Sequence, residues 1–148
     1  MNVKSDDVVA ITENVLKTML DFDVATTEFS AHPKSADQIS SFVQISGAWE
    51  GTVFVESSLG LARDIAGGMF GVNTNSVSDE DLKDALAEIT NMVGGNIKSL
   101  VNSPSYLSIP GIAKEHTSAE LATPARIVVQ KTFVCRDELL RITLCEQS

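Results

Sequence analysis

The chain has 148 residues, 43% hydrophobic and 21% charged, which suits one globular domain with a sizeable core. Its 11 Lys and Arg against 20 Asp and Glu leave a net charge of −9. That argues against a nucleic-acid backbone or an anionic membrane surface as partner and is compatible with a basic protein surface. No apolar run approaches the ~20 residues that span a bilayer.

The opening "MNVKSDDVVAITENVLKTML" is acidic and amphipathic, unlike the basic-then-apolar order of a signal peptide, so a cytoplasmic location is expected. Val8, Ile11, Val15, Leu16 and Met19 have helical spacing and predict a helix over 6–20. "SSFVQISG" and "GTVFVESS" follow as two strands around the turn "AWEG". Trp49 beside that turn reads as a core or interface aromatic. Ser57 or Ser58 is placed to cap a helix through "LGLARDIAGGMFG", and Gly71 to end it. Its Gly67–Gly68 pair reads as tight internal packing. "VNTNSV" is a loop.

Ser78 then caps the longest predicted helix, 79–102, with Asp79, Glu80 and Asp81 favourable in its first turn. Pro104 and Pro110 bracket the exit. Two final strands, "ARIVVQKTFV" and "ELLRITLCE", turn at "CRD". Cys135 and Cys145 lie in that hairpin without C-x-x-C spacing and read as reduced core residues. The order helix, irregular segment, hairpin occurs twice. It predicts an α+β fold, long helices packed on an antiparallel sheet with a pseudo-twofold helix-plus-strands repeat.

The long helix has two faces. At about 100° per residue, Leu82, Leu86, Ile89, Val93, Ile97 and Leu100 fall in a sector of roughly 80° and form the core stripe. Asp84, Glu88, Asn91 and Gly95 fall within about 60° of each other on the opposite side. Asn96 points toward the edge of the core stripe and reads as structural. An acidic and amide outer face is in most helices simply solvated surface. The glycines argue otherwise, because each costs roughly 1 kcal/mol against Ala in a helix interior. Either Gly94 and Gly95 admit tight packing within the domain, or they clear space for a second protein.

Metal and nucleophile chemistry lack support. His32 and His116 are far apart, without ligand spacing, and read as surface residues. No Ser/His/Asp or Cys/His constellation is evident. The "VGGNIKSLV" segment fails the Gly-x-x-Gly spacing of KH loops, since Ile97 and Lys98 stand three places after the two glycines.

Asp84-x-x-x-Glu88-x-x-Asn91-x-x-x-Gly95-Asn96 resembles the signature of the CheC/CheX/FliY phosphatases of bacterial chemotaxis. The likeness extends to the opening helix, the "SGAWEGTVFVESS" hairpin, the "LARDIAGGMFG" helix and the final hairpin. It is nearest to CheX, because the first helix lacks the second copy of the motif that CheC-type members carry: Glu13 is followed three places on by Leu16, not Asn.

The resemblance implies an enzyme that removes phosphate from the phospho-aspartate of a CheY-like response regulator. It implies one site per chain, a homodimer, and no cofactor of its own, with Mg²⁺ supplied by the receiver domain. By the same resemblance Glu88 pairs with the receiver's lysine and Asn91 orients the attacking water. Asp84, Gly94 and Gly95 would belong to the docking surface, and Asn96 to the structural part of the motif. The competing expectation is a non-catalytic module that docks a receiver or a flagellar switch component on the same face.

Overall fold

Apolar residues recurring every three to four positions produce three α-helices among the described residues. The computed structural model describes residues 3–28, 38–113 and 126–147. Helix α1 (Ser5–Leu20) buries Val8, Thr12, Val15 and Leu16, and the Asp7 carboxylate accepts from the Lys4 backbone N–H at 2.9 Å. Ile11 is half-buried and Met19 is exposed, so the apolar stripe is narrower than its spacing predicts. Helix α2 (Leu59–Phe70) starts at Ser58, whose hydroxyl accepts from the Leu61 N–H, and ends at Gly71 in the left-handed conformation. A single 3₁₀ turn, Thr74–Ser76, interrupts the predicted loop.

Helix α3 (Asp79–Lys98) begins with a reciprocal cap. The Ser78 hydroxyl accepts from the Asp81 N–H, and the Asp81 carboxylate accepts from the Ser78 N–H. It ends four residues before the predicted boundary. After Lys98 the backbone tightens to three-residue bonds, Leu100 N–H to Ile97 and Val101 N–H to Lys98. The tighter turn brings Val101 into the core and leaves Leu100 41% exposed, so Leu100 does not belong to the core stripe.

Among the described residues seven strands form one antiparallel sheet: β1 (Val24–Thr27), β2 (Gln38–Gly47), β3 (Gly51–Ser58), β4 (Ser105–Leu107), β5 (Gly111–Ala113), β6 (Arg126–Cys135) and β7 (Glu138–Glu146). The order is β1-β6-β7-β3-β2-β4, with β5 also pairing β2. Exchanging β1 with β4, β2 with β6 and β3 with β7 reproduces this order in reverse. The predicted repeat is therefore a pseudo-twofold in which each half's short strand completes the other half's hairpin. The β6–β7 turn uses Arg136 and Asp137, both at positive φ.

The helices share one main core with the sheet. Val43, Ile45, Val53, Val55, Phe133, Leu140, Ile142 and Leu144 meet Leu61, Ile65, Leu82, Leu86, Ile89 and Val93 there. Trp49 joins this core, and its indole N–H donates to Glu146 at 2.8 Å. That bond, with Arg126 beside it, lowers the Glu146 carboxyl below its ordinary range. Phe54 and Cys145 form a second cluster, with Phe42 against it.

Both cysteines are buried and unpaired, as expected. Burial raises the Cys135 thiol, and burial together with the charge of Glu56 pushes Cys145 up to about 11. At pH 8 only about one Cys145 in a thousand is then a thiolate. Neither thiol is expected to react with a disulfide reagent in the native protein at that pH. Both should react once guanidinium unfolds it, and fast native labelling would show that one is accessible.

Candidate functional site

Helix α3 is held to the sheet by Leu82, Ala85, Leu86, Ile89, Thr90, Val93, Gly94 and Ile97, all buried. Thr90 spends its hydroxyl on the Leu86 carbonyl at 2.8 Å, so it needs no outside partner. With that side committed, Asp84, Glu88 and Asn91 are exposed on the other. Among the described residues none of the three has a side-chain hydrogen bond or ion pair, so all three are available to a partner.

These residues form one wall of an open groove of about 470 Å³. Asp84, Ala87, Glu88 and Asn91 line the helix side, and Leu107, Ser108, Ile109 and Pro110 line the other. Nothing in the motif on α3 points to the second wall. The available signal was the segment between Pro104 and Pro110, in which Tyr106, Leu107 and Ile109 make an apolar run too dense for an ordinary loop. Strands β4 and β5 pair this segment to β2 on either side of Ser108. Ser108 is itself clamped: its N–H donates to the Gln44 carbonyl at 2.9 Å, and its hydroxyl accepts from the Gln44 N–H at 2.8 Å.

The two glycines separate. A Cβ on Gly94 would stand 2.4 Å from Cγ2 of Val43, a contact no packed core accommodates without movement. Gly94 is buried against β2, and its missing side chain sets the distance from α3 to the sheet. That corrects its placement on the docking face. A Cβ on Gly95 would meet only Leu107 Cδ2, at 4.0 Å, an ordinary contact. Internal packing does not require glycine there. Asn96 donates from its amide to the Met92 carbonyl at 2.8 Å, one turn back on its own helix.

Among the described residues no three His, Cys, Asp or Glu side chains are grouped to hold a metal ion. His32 and His116 lie outside the described residues. No described helix is long and apolar enough to cross a membrane.

The model of the chemotaxis phosphatase CheX family matches residues 39–131, a span that contains the whole of α3 and the groove. The chain belongs to the CheX family. Solved structures of the family share its fold. The chemotaxis protein CheX of Vibrio vulnificus superposes with a TM-score of 0.76 at 24% identity, over 96% of this chain and 95% of that one. CheX of Desulfovibrio desulfuricans gives 0.72 at 20% identity, over 97% and 98%. The Borrelia burgdorferi protein in a CheX–CheY–BeF₃–Mg²⁺ complex gives 0.70 at 13% identity, over 97% of each chain. No curated protein sequence matches the chain. At these identities the structural likeness speaks for the fold, and the family model speaks for membership.

Proposed function

We propose that this CheX-family chain hydrolyses the phospho-aspartate of a CheY-like response regulator, with Asn91 orienting the water and Glu88 docking on the receiver's lysine. The observation that carries the reading is the placement of Asp84, Glu88 and Asn91, exposed and without internal partners, along one wall of an open groove. The Borrelia relative's complex with CheY supports the choice of partner.

An acyl phosphate is already labile, and its hydrolysis is accelerated chiefly by positioning and electrostatics. The Asn91 carboxamide carries a donor and an acceptor in one plane, so it can hold a water in line with the phosphorus without acting as a base. Glu88, three residues away on the same face, meets a cation and fixes the register of the complex. Asp84, one turn before Glu88, extends the same negative surface. The family resemblance supports Mg²⁺ supplied by the receiver. The family resemblance further supports a cytoplasmic homodimer as the working form.

Phosphate release from a phosphorylated CheY-like receiver with Mg²⁺ tests the proposal. Substoichiometric wild-type protein should accelerate it, and a non-catalytic docking module would bind without acceleration. Glu88→Gln should raise KM at least tenfold and change kcat less, because it removes one charge of a pair desolvated on docking. Raising the salt concentration should raise the wild-type KM and have less effect on the variant. A salt-independent KM equal in both proteins would remove Glu88 from the interface.

A further inference from the structure

Resting on the receiver-phosphatase reading, we propose that the Leu107–Pro110 wall is a rigid apolar lip that selects the receiver, with Ile109 as the side chain buried on docking. Ile109 is 89% exposed, the highest value among the large apolar side chains of the described residues. A scattered surface isoleucine would need no explanation. Ile109, however, lines the groove that carries Asp84, Glu88 and Asn91. Its neighbours in that wall are Leu107 and Pro110, so the groove is acidic on one side and apolar on the other.

The lip is also held in place. Both Ser108 bonds run to Gln44 of β2, and the Ser108 hydroxyl donates onward to the Ile109 carbonyl at 3.1 Å. Strand pairing fixes the chain on both sides of it, at Leu107 to Ile45 and at Gly111 to Phe42. A side chain presented this way loses little freedom on binding, and preorganisation of that kind adds to affinity.

The two walls define the chemistry of the occupant. Glu88 and Asp84 attract a cationic side chain, and Ile109 needs an apolar surface next to it. A receiver segment with a lysine beside an apolar residue satisfies both. A purely basic surface leaves Ile109 in water, and a purely apolar one leaves the carboxylates unpaired. Charge on the helix wall therefore fixes register, and apolar fit on the lip distinguishes one receiver from another.

The test is calorimetric binding of the cognate CheY-like receiver, loaded with beryllofluoride and Mg²⁺, alongside phosphate-release kinetics. Ile109→Ser should raise Kd and KM about tenfold or more with kcat and thermal stability unchanged. Ile109→Leu should restore most of the affinity, and a second receiver from the same cell should discriminate less between wild type and Ile109→Ser. Equal Kd for wild type and Ile109→Ser overturns the proposal. So does a change in oligomeric state of Ile109→Ser with unchanged receiver affinity, which would assign the lip to contact between copies of this chain. Wild-type protein that binds without accelerating hydrolysis ends the catalytic reading, and Kd still decides the lip. Wild-type protein that does not bind the receiver overturns both.

Discussion

Asn91→Ala is expected to reduce the acceleration of phosphate release by about 100-fold or more, down to the receiver's own rate. The acceleration proposed for this chain depends on the place of one water molecule, and among the described residues Asn91 is the only carboxamide lining the groove. A displacement of about 1 Å at a reacting centre costs on that scale. Asn91→Gln should therefore fail to rescue, because its extra methylene moves the same carboxamide outward. Receiver affinity should change little in either variant. Folding should be unaffected, since Asn91 is exposed and Ala is the better helix former. Full activity in Asn91→Ala with native stability would mean that another group positions the water.

The glycine pair should split by stability. Gly94→Ala is expected to lower Tm by several degrees and Gly95→Ala to raise it by about 2–4 °C. Both substitutions remove the same helical penalty of about 1 kcal/mol. At position 94 the new methyl group meets Val43, which is fully buried on β2, and overpacking of this kind costs about 1–3 kcal/mol. At position 95 the methyl group has room, so the propensity gain stands alone. Val43→Ala should recover part of the loss in Gly94→Ala, a coupling that a double-mutant cycle measures. Under the docking reading, Gly95→Ala gains stability and loses receiver affinity. A glycine retained against the stability of its own helix is then explained by what approaches it from outside. Equal Tm rises for both glycines would show that Gly94 does not set the spacing between α3 and the sheet.

The sequence by itself determined the features that depend on local periodicity. The cap at Ser78, the left-handed stop at Gly71, the two long hairpins and the two faces of α3 all follow from residues a few positions apart, whereas the choice of Ser58 over Ser57 as the cap of α2 appears only in the structure. So does the exposure of Asp84, Glu88 and Asn91, because a helix that buries Leu86, Ile89 and Val93 has no other way to turn them. The end of α3 at Lys98 is not legible in the sequence, because the shift to three-residue bonds after it leaves no mark on the apolar pattern. Strands β1, β4 and β5, of four, three and three residues, are too short to show alternation.

Tertiary structure decided the rest. Pairing across the sheet made β1 and β4 into strands and placed each beside the other half's hairpin. The same pairing carried Leu107–Pro110 onto β2 and so built the second wall of the groove. Adjacent glycines differ by about 100° around a helix, but only the position of Val43 determines which of them is packed. The stretch "NMVGGN" thus holds a groove-lining residue, a packing residue, an open position and a residue bonded to its own helix, at Asn91, Gly94, Gly95 and Asn96 respectively. Helical spacing is a property of neighbouring residues, whereas a groove requires two segments brought together by long-range pairing.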